Sequence, residues 1–566
     1  MYGIFAIIGF SAFPDEFGYW SVAAAILGYD WSSITGLGPY YSYGYSVLLT
    51  PILFLFQDPI ITYRMAIVLN LLLQCASFWV LYLILKELFP DAKKTTLHLV
   101  VAIGVLYPAW SFYTQTTMTE AVLYCGFVTT IYLMLRFVKK PSALTGLPLV
   151  VLTIYLYLVH MRCLGNIGAV ALTILIFLIS KRKDDEKKHG KTWLILILVV
   201  ILFGVSFLLK DKVVSLLYHS TSKDMMTWND YSGLLYRFSK FLSLQGFIYL
   251  LKDICGKTLY MGLATYGIAY FGIAAAAKKA FFSLKAIRQK SANTSDYLWL
   301  YIFLAVCAQF MVALIYLNGA SAPDADRLDN FLHGRYIDFF LPILIAVGLL
   351  EMLKVKRPVV SMAAVLLIYL VLSYVALGAI RANNVQMNNP HGFTMIGMSY
   401  LLETPLIDTA TFFYREVLFQ TGLTILVFAL ILLARKLEVE LLMAGIMILQ
   451  IFLTINACDH FIFPYQNYIY GDIILSERVK ELHDMYPEKE VVHIYEGGNP
   501  YIELVQFSNR DLHIKAVDMT KGADLSENLR DDCIIITRSG GDCEATVQEY
   551  YSERYEAGHL ALYYTP

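Results

Sequence analysis

The sequence has little charge for its length. Only 16% of its 566 residues are charged, whereas 58% are hydrophobic and the mean hydropathy is +0.58. This composition excludes a soluble protein of several domains. The 44 basic and 45 acidic residues give a net charge of −1, so no basic surplus exists to neutralise a nucleic-acid backbone. A nucleic-acid partner is therefore not expected.

Several signatures of soluble binding sites are also missing. The eight cysteines are scattered, with no CxxC pair and no Cys/His cluster at metal-binding spacing. They support neither a disulfide framework nor a zinc site. GGNP at 497–500 is not a GxGxxG fingerprint, so it predicts a turn and not a dinucleotide site.

Long apolar runs are what the sequence has in abundance. A bilayer core of roughly 30 Å needs about 20 apolar helical residues, and such runs recur up to residue 457. We predict an α-helical polytopic membrane protein with about thirteen transmembrane helices. The predicted spans are 1–13, 65–85, 95–112, 118–135, 144–159, 164–180, 192–209, 259–277, 297–317, 336–353, 359–379, 416–434 and 440–457. The first run is short, since a helix of that length rises only about 20 Å.

Lysine and arginine side chains are concentrated in alternate loops, and this predicts the orientation in the cytoplasmic membrane. The loops predicted to face the cytoplasm are 86–94, 136–140, 181–191, 278–290, 354–357 and 435–436. The opposite loops carry few basic residues, apart from a long one at 210–258, and long loops count little in this rule. The loops 14–64 and 380–415 and all residues after 457 are then predicted to be extracytoplasmic.

The composition changes after the last predicted span. Charge rises, and short β-rich runs alternate with polar helical stretches: VVHIY (491–495), LHIKAVD (512–518) and CIIIT (533–537). We predict a small extracytoplasmic α/β domain at 458–566, following a transmembrane domain at 1–457.

Charged residues at the outer surface are the candidates for function, because charge in or beside a membrane is costly. The first are Asp15 and Glu16 in PDEFGYW (14–20), which follow the first predicted span directly. Tyr19 would share the Asp15 face one helical turn later. Two interpretations are open: a catalytic carboxylate pair, or a helix N-terminus, where acidic residues interact favourably with the free N–H groups.

An Asp-Glu pair just outside a first span, in a chain of this topology, resembles the GT-C superfamily of membrane glycosyltransferases. Bacterial protein O-mannosyltransferase-like and aminoarabinose-transferase-like enzymes are the most similar in character. The resemblance covers the topology of the whole chain and, as motifs, positions 14–20, 119–120 and 334–336. It implies that a sugar is taken from a polyprenyl phosphate and attached to an acceptor on the outer face.

This chemistry needs a base. An acceptor hydroxyl must lose its proton as it attacks the anomeric carbon, and a positioned carboxylate is a suitable base. We assign that role to Asp15, which implies an inverting transfer, and we expect Glu16 to orient the acceptor or a cation. The leaving group would be a lipid phosphate, whose developing charge needs cations or a metal.

Few cations lie on the predicted outer side. Arg162 and His160 occur in HMRC, and Arg335 and Tyr336 occur in HGRYIDFFLP. An arginine fork suits a phosphate, so these four residues are the predicted donor-phosphate site. The alternatives are interfacial snorkelling for Arg162 and His160, an i,i+3 ion pair with Asp338 for Arg335, and a place in the interfacial aromatic belt for Tyr336.

Glu120, preceded by Thr119, lies at the outer end of the fourth predicted span. We expect it to face Asp15 and Glu16 and to assist the donor or a divalent cation, since hard cations favour several oxygen ligands. The alternative is that it only caps that span. Some GT-C enzymes need a metal and others do not, so the resemblance is compatible with either. APDADRLDN (322–330) lacks the glycine and the terminal glutamate of an EF-hand, so we expect a solvated loop there.

The sequence thus predicts a glycosyltransferase that uses a polyprenyl-phosphate sugar and a cell-envelope glycan, lipid or protein as acceptor. A lipid-linked glycan flippase or transporter is the first alternative, and it predicts ionisable residues at mid-membrane depth beside broken helices. A non-catalytic envelope assembly protein is the second, and it predicts that Asp15 is replaceable. Within the enzyme class, a ligase or polymerase acting on lipid diphosphates is also open.

Overall fold

The computed structural model describes residues 2–38, 42–181, 186–218, 234–325, 327, 329–382, 395–398, 409–434, 438–498 and 501–566. Within these residues, eight helices are long and apolar enough to cross a membrane. The number is nine if Leu244–Ala264 and Ile268–Arg288, which meet at 114°, form one bent span. The prediction of a helical multi-pass membrane protein is confirmed. Most of the predicted loop 380–415 lies outside the described residues.

The helices of the described part that precede the sheet have the following bounds. They are α1 (Asp15–Leu27), α2 (Ser32–Thr35), α3 (Gly44–Leu55), α4 (Pro59–Leu88), α5 (Lys94–Val105), α6 (Pro108–Tyr113), α7 (Glu120–Lys139), α8 (Ala143–Val159), α9 (Leu164–Lys181), α10 (Glu186–Tyr218), α11 (Leu234–Ser239), α12 (Leu244–Ala264), α13 (Ile268–Arg288), α14 (Thr294–Tyr316), α15 (Asp329–Leu332), α16 (Leu341–Met352), α17 (Pro358–Ala382), α18 (Thr409–Ala434), α19 (Val439–Phe461), α20 (Phe463–Tyr468) and α21 (Tyr470–Met485).

The first predicted span, 1–13, is wrong. Residues 2–13 contain only a short 3₁₀ turn, Ile4–Ala6. Their backbone is paired instead by Gln466, whose Oε1 accepts the N–H groups of Ile8 (2.8 Å) and Gly9 (3.1 Å). Its second half is buried, with Ile7, Phe10 and Phe13 each at most 7% exposed. Removing this span leaves an even number of predicted spans, so the predicted location of residues 14–64 and of those after 457 on one side is unchanged.

Two other predicted spans are interrupted. The predicted span 95–112 divides into α5 and α6, because Pro108 disfavours the helical conformation for the residue before it. The predicted span 259–277 crosses the bend between α12 and α13. At that bend Tyr266 (φ 57°) and Gly267 (φ 78°) have left-handed backbone conformations, which end one helix and redirect the next.

The end of the chain forms a five-stranded mixed sheet. Its elements are β1 (Glu490–Tyr495), α22 (Tyr501–Ser508), β2 (Ile514–Asp518), β3 (Cys533–Arg538), α23 (Glu544–Tyr550), β4 (Glu553–Ala557) and β5 (Leu560–Tyr564). The strand order is β2-β1-β3-β5-β4, in which the first three strands are parallel and β5 is antiparallel to both neighbours. The three β-rich runs of the sequence are the three parallel strands, so the small α/β domain is confirmed.

This terminal domain packs directly on the segment that carries Asp15. Arg510 is 5% exposed and donates to the carbonyl oxygens of Leu53 (2.6 Å) and Gln57 (2.7 Å). The indole of Trp31 donates to the Arg510 carbonyl at 2.8 Å and stacks on Phe17 of α1 with a ring separation of 5.6 Å. Because buried backbone acceptors are costly to leave unpaired, these contacts fix the domain against Trp31, which stacks on α1, and against the end of α3.

Candidate active site

A polar cavity of about 270 Å³ lies where α1 begins and α8 and α14 end. It is lined by Asp15, Tyr19, Ser42, His160, Arg162, Arg237, Tyr316, Leu317, Arg327, Asn330, His333, Arg335 and Tyr336. Six of the eight predicted site residues are in this lining, although Asp15 and Arg335 are separated by 320 positions in the chain. The other two, Glu16 and Glu120, lie behind the wall of the cavity.

Asp15 is the first residue of α1 and is the carboxylate that faces the cavity. Its side chain is 24% exposed, and its Oδ2 accepts a hydrogen bond from Nη2 of Arg335 at 3.1 Å. The helix N-terminus and the neighbouring guanidinium both favour a negative charge at this position. Asp15 can therefore be both a catalytic carboxylate and an acidic residue at a helix N-terminus, since the start of α1 places its side chain in the cavity.

Glu16 points away from the cavity and is fully buried. Its carboxylate accepts five hydrogen bonds, from the backbone N–H and hydroxyl of Ser11, from the hydroxyl of Tyr63, and from the backbone N–H and hydroxyl of Thr117. These donors come from three separate segments of the chain. Glu16 therefore fixes the start of α1, and any effect on an acceptor would act through the position of Asp15.

Glu120 binds two arginines at once. It is the first residue of α7 and is 1% exposed. Its Oε1 accepts from Nη2 of Arg162 at 2.5 Å and from Nε of Arg335 at 2.8 Å. Glu120 is thus joined to Asp15 through Arg335. A buried carboxylate and its cations must be paired, since each would otherwise carry a large desolvation cost.

Arg162 is buried, so the snorkelling alternative does not apply to it. It lies in the 3₁₀ turn Met161–Cys163 with a 1% exposed side chain. Its Nη1 donates to the carbonyl oxygen of Arg335 at 2.8 Å, and its guanidinium lies 5.1 Å from the centre of the Tyr336 ring. Arg162 therefore holds the segment that presents Arg335 and Tyr336 to the cavity.

The alternative for Arg335 was an i,i+3 ion pair with Asp338, and the structure does not contain that pair. Asp338 instead accepts from the hydroxyls of Tyr107 (2.8 Å) and Tyr260 (3.0 Å). Gly334 permits this arrangement, because a Cβ there would lie 2.2 Å from the Tyr260 ring. Burial disfavours the charge of Arg335, but Glu120 and Asp15 outweigh that effect and raise its pKa well above the ordinary value.

Burial disfavours the charged form of both histidines of the cavity. Burial, followed by the charge of Arg162, lowers the pKa of His160 well below its usual range. Burial lowers the pKa of His333 to about 3 despite the nearby Asp329 carboxylate. Both rings are within aromatic contact of Tyr336, with ring separations of 6.2 Å for His160 and 5.2 Å for His333. At neutral pH the fixed positive charge of the cavity therefore comes from its arginines.

Sequence reasoning missed two of those arginines. Arg237 belongs to the long loop that the orientation rule discounts, and its guanidinium lies 5.1 Å from the centre of the Tyr316 ring. Arg327 belongs to the segment expected to be a solvated loop; this expectation is wrong for Asp329, which is 1% exposed and pairs with Arg327. Both could have been found from the sequence, because arginines on the predicted outer side are rare and each needs an explanation.

A shared divalent-cation site does not fit these residues. In the described part of the chain, no three His, Cys, Asp or Glu side chains are grouped so that they could bind a metal ion. The Glu16 oxygens are taken up by protein donors, and Oε1 of Glu120 is bonded to two arginines. The expectation that Glu120 assists such a cation next to Asp15 and Glu16 is therefore not supported.

Comparison with known proteins finds structural similarity only. No protein-family model matches the sequence, and no curated protein matches it. The structure of ArnT from Cupriavidus metallidurans bound to undecaprenyl phosphate is similar with a TM-score of 0.51 and 11% sequence identity, over 99% of this chain and 95% of that chain. The apo state of ArnT gives a TM-score of 0.48 and 11% identity over 98% and 94%. The oligosaccharyltransferase AglB from Archaeoglobus fulgidus, in complex with an inhibitory peptide and a dolichol-phosphate, gives 0.44 and 10% over 96% and 67%.

The similarity to undecaprenyl-phosphate-bound ArnT extends over nearly the whole length of both chains, membrane helices and terminal domain together. The chain therefore has the GT-C-like fold that the sequence resemblance implied.

Proposed function

We propose that this chain is a glycosyltransferase that moves a sugar from a polyprenyl-phosphate donor to a cell-envelope glycan, lipid or protein. The observation that carries the proposal is the cavity itself, in which the carboxylate of Asp15 and four arginines meet at one end of the membrane helices. A base and an anion-binding surface are the two requirements of this transfer. The GT-C-like fold and the lipid phosphate held by ArnT support it.

The acceptor hydroxyl would bind next to Asp15. Its oxygen forms a bond to the anomeric carbon, its proton passes to the Asp15 carboxylate, and the bond from that carbon to the phosphate oxygen breaks with its electron pair leaving on the phosphate. One displacement inverts the configuration at the anomeric carbon. Tyr19 shares the cavity wall with Asp15 and helps to orient the bound sugars.

The cations of the cavity would stabilise the departing lipid phosphate. Arg335 and Tyr336 bind its oxygens, with His160 beside them, while Arg162 and Glu120 keep Arg335 in place. The donor phosphodiester carries one negative charge, and the released phosphate monoester carries between one and two near neutral pH. Cations that are already fixed in place stabilise that increase without having to reorganise.

A lipid-linked donor is favoured over a nucleotide sugar by the predicted orientation. The basic loops predict that the cavity and the terminal domain lie outside the cytoplasmic membrane. Nucleotide sugars are made on the other side, whereas a polyprenyl phosphate is delivered within the membrane. The donor's chain would lie between the membrane helices, with its phosphate at the level of the cavity.

The donor class is tested with the full-length protein in proteoliposomes. Radiolabelled polyprenyl-phosphate sugars and soluble nucleotide sugars are supplied in parallel, with envelope extract as acceptor and protein-free liposomes as control. We expect label to reach the acceptor from at least one polyprenyl-phosphate sugar and from no nucleotide sugar. Transfer from nucleotide sugars alone would reject the proposal. Labelled lipid that crosses the bilayer without being consumed would indicate a flippase instead.

A further inference from the structure

We infer that Arg335 couples the two halves of the transfer: Asp15 holds it before the reaction, and it is released to the donor phosphate when Asp15 accepts the proton. Arg335 is then a catalytic residue whose contribution grows as the reaction proceeds. This inference rests on the proposed function, because it takes the departing group to be a lipid phosphate.

The contacts of Arg335 separate a permanent partner from an exchangeable one. Its Nε bonds to Glu120, which is 1% exposed and lies behind the cavity wall. Its Nη2 bonds to Asp15, which is 24% exposed and forms part of the wall. The guanidinium also lies 5.4 Å from the centre of the Phe13 ring. Glu120 and Phe13 therefore fix the group, while the bond to Asp15 faces the space that a substrate would occupy.

The proton transfer of the reaction changes the hydrogen bond between Arg335 and Asp15. Before transfer, Asp15 is a carboxylate and neutralises part of the Arg335 charge. During transfer, the acceptor oxygen bonds to the anomeric carbon, its proton goes to Asp15, and the electron pair of the broken bond goes to the phosphate oxygen. Asp15 becomes neutral at the stage when the phosphate gains charge. Arg335 then loses an anionic partner on one side and gains one on the other.

Such an interaction is stronger in the transition state than in the ground state, which is the condition for it to increase kcat. Arg327 provides the contrast within the same cavity. Its guanidinium pairs with Asp329, which takes no part in the proton transfer. The charge that Arg327 offers to a phosphate is therefore the same before and after the reaction. Of these two arginines, only Arg335 is hydrogen-bonded to the base, so only its interaction with the phosphate changes when the base is protonated.

A double-mutant cycle tests this coupling through binding and does not require activity. The affinity of the full-length protein in nanodiscs for undecaprenyl phosphate is measured at pH 8, where the phosphate monoester is doubly charged. Asp15→Asn mimics the protonated base, and we expect it to tighten binding about tenfold in the otherwise wild-type protein. In the Arg335→Gln background the same change should have less than a twofold effect. In the matched Arg327→Gln background the tenfold effect should persist.

Two results would overturn the coupling while leaving the proposed function intact. One is tightening of equal size in the Arg335→Gln background, which would indicate general repulsion between Asp15 and the phosphate. The other is an Asp15→Asn variant that transfers no sugar but binds undecaprenyl phosphate no more tightly than the wild type. If the wild type neither binds undecaprenyl phosphate nor transfers sugar, both the proposed function and this inference are rejected.

Folding of the variants can be kept separate from the coupling. Should Arg335→Gln fail to fold because Glu120 loses a partner, Arg335→Lys replaces it in the cycle. A lysine keeps a positive charge near Glu120 but lacks the fork that reaches both carboxylates. In the Arg335→Lys background, Asp15→Asn is again expected to change binding less than twofold. A tenfold tightening in that background would contradict the inference.

Discussion

The Asp15→Asn variant is expected to transfer sugar about 10²–10⁴ times more slowly than the wild type, the range typical of a lost general base. Asparagine has a similar shape, but it carries no charge and cannot take a proton. The loss should therefore appear in kcat, measured by single-turnover transfer in proteoliposomes, and donor binding should not be weakened.

Asp324→Asn is the matched control for this variant. Asp324 is exposed and is not part of the cavity lining, so its substitution should leave transfer within about twofold of the wild type. A folded Asp15→Asn protein with full activity would show that the base has been assigned wrongly. Of the other acidic residues nearby, Glu16 and Glu120 would then be the next to test.

The Glu120→Gln variant is expected to lose about 3–5 kcal/mol of unfolding free energy together with most of its activity. Glu120 is the shared anion of Arg162 and Arg335, and removing one partner of a buried ionic group leaves charge uncompensated. The activity would fall because Arg335 is no longer held in position. Equilibrium unfolding in mixed detergent micelles measures the first effect, and single-turnover transfer measures the second.

Glu87→Gln is the control for Glu120→Gln. Glu87 pairs with Lys139 at 2.6 Å, but both side chains are partly exposed, so the expected cost is below about 1 kcal/mol. An equally small cost for Glu120→Gln would contradict the reading of Glu120 as the anion that organises the cavity wall. A large loss of stability with unchanged transfer would limit its role to folding.

Local sequence signals located the carboxylates but not their partners. Asp15 could be predicted because charge beside a membrane span is rare and needs a reason. The local alternative for Arg335 was an ion pair with Asp338, the nearest acid along the chain, whereas the structure pairs Arg335 with Glu120, 215 positions away. No local pattern encodes that pairing, since it depends on how α7 and the segment before α16 pack together.

Hydrophobicity alone misplaced the beginning of the chain. Residues 2–13 are as apolar as a membrane span, but Phe10 packs on Phe507 of the terminal domain, with a ring separation of 4.9 Å. An apolar run buried against another part of the same chain gives the same composition as one that faces lipid. The mixed sheet was more predictable, because its parallel strands are separate β-rich runs bounded by turn residues.

The stereochemistry of the product tests the central claim most directly. With the purified protein and an active polyprenyl-phosphate sugar, the anomeric configuration of the glycoside and the amount of lipid phosphate released are determined together by NMR. We predict an inverted configuration and one polyprenyl phosphate released for each glycoside formed, as a single displacement with Asp15 as base requires. A retained configuration would demand a covalent sugar intermediate and a second catalytic carboxylate, and it would contradict this account.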